Sequence, residues 1–234
     1  MKVTEIRRYP VKSMLGESVS VAEVDDRGIA GDRLWAVRDP DGKFGSGKNT
    51  RRFRRMPGLF DLRAHTAEDA PIVELPDGRR FTAGDPRGHQ AVSDFLARTV
   101  TLTPEREVAH HDEGPVSLIT TAAVRQLTEL AGGEPGRTGI DPRRFRANLL
   151  IDLPGNGFPE EDWAGRVLRI GPDVVVRPVR QLTRCVMIDM AQEGAEQRND
   201  LLKTLAEHHH MTFGVFATVE QHGRVAVGDT CSWR

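Results

Sequence analysis

No single periodicity runs for long in this chain, and that fact constrains the fold most. Short alternating segments are cut repeatedly by turn residues. Residues 2–9 alternate loosely, Val19–Val24 alternates cleanly, and Leu34–Val37 stops at Asp39-Pro40-Asp41-Gly42. Asp61–Thr66, Ile72–Leu75 and Val100–Thr103 continue the pattern, punctuated by Pro76-Asp77-Gly78 and Gly84-Asp85-Pro86. Period-two runs bounded by Pro, Gly and Asp read as strands, and many short ones predict a barrel-like, mainly β fold. The second half adds strands at Phe145–Asp152, Val167–Ile170 and Val174–Val176. It also adds a closing hairpin of Phe213–Glu220 with Arg224–Trp233. Helices are few and peripheral: Val92–Arg98, Leu118–Ala131 with Thr120 or Thr121 as N-cap and Gly132-Gly133 as stop, and Asp200–His208.

At 234 residues the chain suffices for one large or two small domains. The charged, aperiodic stretch Pro104–Glu113 is the expected boundary, giving domains 1–104 and 105–234. No apolar run approaches the roughly 20 residues of a membrane helix, and the N-terminus carries no apolar signal core. The expected location is therefore cytoplasmic. Two cysteines 46 positions apart make no disulfide framework, and the absence of Cys-x-x-Cys excludes a four-cysteine iron–sulfur cluster and argues against structural zinc.

Net charge is −1, yet Lys43–Arg55 holds six cations and no acid. Such a run can be a solvated face, a nucleic-acid patch or a small-anion site. Nucleic acid is the poorest of these, because no RNA-binding or zinc-finger signature accompanies it. The expectation is a mobile loop at a site mouth, attracting an anionic substrate or an acidic redox partner. His110-His111 and the run His208–His210 are possible ligand pairs, although the latter also suits a helix end. Asp189 can orient a site or cap a turn, and Trp163 and Cys231 read as core.

The chemistry concentrates at Thr183-Arg184-Cys185. A cationic neighbour favours the thiolate, which is both nucleophile and soft-metal ligand. Alone, such a cysteine is more often a small buried hydrophobe. It does not stand alone. Tyr9-Pro10-Val11-Lys12-Ser13, then Gly28–Trp35, then Thr50-Arg51-Arg52 resemble the N-terminal β-barrel domain that accompanies MOSC domains. Ser117–Thr121, Arg144-Phe145-Arg146-Ala147-Asn148, Glu161–Trp163, Thr183–Cys185 and Phe213-Gly214 with Val227–Asp229 resemble the MOSC domain of molybdenum-cofactor sulfurases. By arrangement the chain is similar to the amidoxime-reducing components.

The resemblance implies a pyranopterin molybdenum cofactor whose metal is bound by Cys185. It implies cofactor contacts from Lys12, Ser13, Arg33, Thr120, Thr121, Arg146, Asn148, Thr183 and Arg184. Arg forks, a Lys point charge and hydroxyl donors suit a phosphate dianion, and an Asn amide suits a pterin edge. The implied activity is reduction of small N-oxygenated substrates, with electrons delivered in trans by a ferredoxin or flavoprotein. The alternatives are a molybdenum-cofactor carrier or insertion protein without turnover, and a metal-free sulfur-transfer or C–S-cleaving protein using Cys185 as nucleophile.

Overall fold

The computed structural model describes residues 1–133, 139–192 and 194–234. It is mainly β with three α-helices at the periphery. The largest sheet has eight strands in the order Cys231–Trp233, Leu168–Ile170, Val174–Thr183, Thr212–Gln221, Val116–Thr120, Leu149–Asp152, Lys2–Arg8 and Glu17–Val19. Its core is the aliphatic face of these strands, with Val3, Ile6, Leu118, Ile151, Val176 and Val215 all buried. Trp163 seals one end edge-on against Trp233, and Cys231 is buried in the same cluster.

A second sheet builds the first half around Trp35–Arg38, flanked by Val11–Lys12, Phe44–Ser46 and Thr101–Pro104. Its core contains Val11, Met14, Val37, Leu62 and Leu102. The two halves are interlocked, because the first strand lies in the large sheet, with Ile6 opposite Leu149. Likewise Val21–Asp25 pairs with Gly223–Ala226.

Four expected elements differ. The predicted closing hairpin does not form: Gly223–Ala226 leaves Thr212–Gln221 for Val21–Asp25, and Cys231–Trp233 joins Leu168–Ile170. Alternation marks a strand but not its partner, which is decided by which faces need covering. Leu118 and Ile119 belong to a strand, and helix α2 covers only Thr121–Leu130. A strand buried on both faces reads like a helix segment by apolarity alone. Helix α1 is Pro86–Phe95, starting six residues before the expected position. Asp85 caps it by accepting from the Arg87 amide, with Pro86 in the first turn. Finally, Phe145–Asp152 is not one strand. Pro142–Phe145 is a 3-10 turn, Arg146 is left-handed at φ 52°, and pairing begins at Leu149.

Helix α3, Leu201–His208, is capped from a distance. The Asp189 carboxylate accepts from the amides of Leu201 and Leu202 at 3.0 and 3.2 Å, which selects its capping role. No helix among the described residues is long and apolar enough to cross a membrane.

Candidate functional site

Cys185 lies two residues beyond the long strand Val174–Thr183 and opens the 3-10 turn Val186–Ile188 in extended conformation. Its thiol lines a cleft of about 250 Å³ between the two halves. Lys12, Ser13, Arg33, Arg146, Thr183 and Arg184 line the same cleft. Seven of the expected residues therefore converge, from segments far apart in sequence. Seven cationic side chains face this space, against the two acids Asp112 and Glu113.

The cations are held by backbone carbonyls and aromatic rings. Arg184 donates from Nε to Phe213 O at 2.8 Å and from Nη1 to Phe145 O at 2.9 Å. It lies over the rings of Phe145 and Phe213, which stack at 3.9 Å. Gly214 makes room for it: at φ 72° a Cβ would lie 2.6 Å from both Leu118 O and Ile119 Cγ2, and 3.3 Å from Arg184 Nη2. Arg146 donates to Met14 O at 2.7 Å and stacks over Tyr9 at 4.2 Å and Phe60 at 5.1 Å. Arg33 shares the Tyr9 ring at 5.0 Å, pairs with buried Asp32, and donates to Arg146 O at 3.0 Å. Ser13 donates to Gly45 O at 2.9 Å.

Burial sets the electrostatics. It lowers Arg146 and Arg184 to about 10 and Lys12 to about 8, the last against the opposing pull of Asp112. At Arg33 burial is again the largest effect and works in the same direction, but Asp32, Tyr9 and Asp112 together outweigh it and the net shift is upward. Three buried side-chain atoms without a partner belong to cleft residues: Arg52 Nε, His111 Nε2 and Arg184 Nη2. Ser13, Arg33 and Arg146 are also three of the six non-glycine residues with positive φ among those described. Such backbone costs on the order of 1–3 kcal/mol per residue and gathers at ligand sites.

Thr120, Thr121 and Asn148 do not line the cleft; their polar atoms are engaged in the scaffold. Thr120 caps α2 through the Ala123 amide and donates to Glu160 Oε2 at 2.7 Å. Thr121 bonds Asp152, Leu153 O and the Leu153 amide. Asn148 Oδ1 accepts from the Ser117 amide and hydroxyl, and its Nδ2 donates to Arg7 O. Asn148 thus orients Ser117, which does line the cleft. Arg144 is buried rather than part of a solvated strand face, and donates to Ile188 O and Met190 O.

Sequence reasoning missed Ser117, Asp112, His111 and Phe216 at the cleft wall. In sequence His111 reads only as a possible ligand and Ser117 only as the start of a family-like segment, while nothing local marks Asp112 or Phe216. Cations of the basic segment divide between ion pairs and the cleft. Arg54 pairs with Asp39 and Asp41, whereas Lys48 and Arg52 flank the Phe53 ring and line the cleft. His209 pairs with Glu161. Among the described residues no group of three or more His, Cys, Asp or Glu could hold a metal ion.

Comparison with known proteins gives a consistent picture. The MOSC N-terminal beta barrel domain family matches residues 1–104, and the MOSC domain family matches residues 105–232. Mitochondrial amidoxime reducing component 2 of Bos taurus is 23% identical, over 97% of this chain and 81% of its own length. A molybdenum cofactor sulfurase of Oryza sativa subsp. japonica is 24% identical over 91% of this chain, which spans 32% of that protein. The crystal structure of the YUAD protein from Bacillus subtilis shares the fold with a TM-score of 0.51, at 14% identity, covering 98% of this chain and 93% of that one.

Proposed function

The chain belongs to the MOSC family, and from that premise we propose that it is a molybdenum-cofactor-dependent oxidoreductase that reduces N-oxygenated substrates. One observation carries the reading: a cleft-lining thiol shares its cavity with seven cations, one of which, Arg184, leaves a buried N–H group unpartnered. A phosphate-bearing pterin fits that donor set. The cleft supplies a single cysteine and, among the described residues, no cluster of His, Cys, Asp or Glu, so a metal here would arrive on an organic ligand.

Cys185 would hold the molybdenum through its sulfur. Lys12, Arg33, Arg146 and Arg184 would hold the phosphate and orient the pterin, with Ser13 and Thr183 on the wall. Thr120, Thr121 and Asn148 act one layer out, fixing α2 and Ser117. Bound there, the cofactor would supply two-electron removal of oxygen from nitrogen. The balance is R–NHOH plus two electrons and two protons giving R–NH2 and water. A ferredoxin or flavoprotein supplies the electrons.

The experiment is metal analysis of protein made in a cofactor-producing host, with fluorescence of the released oxidised pterin, followed by turnover of an amidoxime with a reductase–ferredoxin pair. Stoichiometric molybdenum with turnover supports the reading. Molybdenum without turnover on a broad substrate panel moves it to a cofactor carrier. Metal-free protein that still cleaves C–S bonds moves it to a sulfur-transfer protein.

A further inference from the structure

The segment 105–114, at the start of the MOSC-matched part, contributes both acids of the cleft, Asp112 and Glu113. Its ends are anchored outward. Glu105 accepts from Arg27 Nε and Nη2 at 2.7 and 2.6 Å, and Glu113 pairs with Arg180. Its middle is held by cations of the cleft itself. Lys12 Nζ donates to His110 O at 2.8 Å and to Asp112 Oδ1 at 2.7 Å. Arg52 Nη2 donates to Ala109 O and His111 O.

The Lys12–Asp112 pair is asymmetric. The Lys12 side chain is 4% exposed and that of Asp112 is 55% exposed. A buried ammonium needs a counterion to stay charged, and here a largely solvated carboxylate from a neighbouring strap supplies it. The two acids that the strap presents to the cleft are not offset by its histidines, which burial keeps neutral: His110 is lowered to about 4 and His111 is also lowered. Beside the pair, His111 Nε2 and Arg52 Nε are buried without partners. Hydrogen-bonding capacity is thus left over around a cation that is already neutralised.

We propose that Asp112 is an internal counterion occupying the place on Lys12 that a ligand's anionic group takes, so that an entering anion must first displace it. This rests on reading the cleft as an anion site. The strap then has two states, closed on Lys12 or released while its ends stay pinned by Arg27 and Arg180. Apparent affinity falls by the fraction of protein in the released state. A carboxylate that is more than half solvated gains little by returning to water, so the effect is about tenfold rather than a thousandfold. The device offsets the charge of Lys12 before loading, and couples loading to movement of segment 105–114.

The test is calorimetric titration of the purified full chain with phenyl phosphate and with inorganic phosphate at pH 7. Wild type, Asp112→Asn, Lys12→Ala and the double variant are compared, with circular dichroism to confirm folding. Asp112→Ser serves if the Asn variant does not fold. Asp112→Asn should bind about tenfold tighter, and this gain should vanish when Lys12 is Ala. Hydrogen exchange of amides 109–113 should quicken when phosphate binds wild type. Weaker binding by Asp112→Asn would show that Asp112 positions Lys12 and overturn the proposal; unchanged binding would show that the carboxylate and the anion do not compete, and overturn it too. Binding by wild type with no gain in Asp112→Asn leaves the anion cleft intact while removing the strap. No phosphate binding by any form removes the anion cleft, and the strap with it.

Discussion

Replacing Arg146 by Met separates holding the fold from holding the ligand. Burial lowers the ionisation of Arg146 from the usual arginine range to about 10. At 1.36 kcal/mol per decade this disfavours the charged form by roughly 3 kcal/mol in the folded state. The sign is that of a cation with a depressed folded value. The effect is present in full at any pH below about 10, hence at pH 7. Against it stand one charge-assisted bond to Met14 O, about 1.5–3 kcal/mol, and stacking on Tyr9 and Phe60, about 0.5–1 kcal/mol each. The terms nearly cancel. Methionine keeps an apolar body on the two rings, so Arg146→Met should alter the unfolding free energy of the ligand-free protein by about 1 kcal/mol or less. Anion affinity should fall by a lost bidentate contact, on the order of 10- to 100-fold. Urea unfolding monitored by tryptophan fluorescence gives the first quantity, and phenyl phosphate titration with pterin content gives the second. A loss of several kcal/mol of stability with unchanged phosphate binding would refute the reasoning and make Arg146 a structural pin.

Three further outcomes follow from the same geometry. Cys185→Ala should fold normally but retain no molybdenum, whereas Cys231→Ser should retain it, because burial pushes the Cys231 thiol up to about 11 and away from the ligating thiolate; equal molybdenum in both variants would contradict this. Glu160 is fully buried and burial raises it to about 7, so it weakens the fold progressively as pH rises from 4.5 towards 7. Glu160→Gln should therefore be more stable than wild type by about 2–3 kcal/mol at pH 8 and lose that advantage near pH 4.5; melting curves with parallel pH profiles would reject it. Gly214→Ala should cost about 2 kcal/mol or more and lower phosphate affinity, since its Cβ meets Leu118 O and Ile119 and crowds Arg184; thermal unfolding and titration report both.

Local chemistry determined much of this protein. Alternation cut by Pro, Gly and Asp is enough for a mainly β fold, because side-chain period and turn preference are properties of neighbouring residues. Thr120 is legible as a cap for the same reason, and Cys185 beside Arg184 marks itself. The ordered segments around Lys12, Arg33, Arg146 and Cys185 placed the chain in its family, and the cleft gathers all four. Tertiary structure decided the rest. Gly223–Ala226 pairs with Val21–Asp25 because strand partnership follows the burial of whole faces, which no local window contains. Arg146 leaves the strand for a left-handed turn because Tyr9 and Phe60, from distant segments, stabilise its guanidinium there. Thr121 and Asn148 turn inward because Asp152 and Ser117, each 31 positions away, satisfy them. Arg54 turns to Asp39 and Asp41 while Arg52 turns to the cleft, a division that a count of charges cannot reveal, since the pairing partner of a charge is a matter of three-dimensional distance.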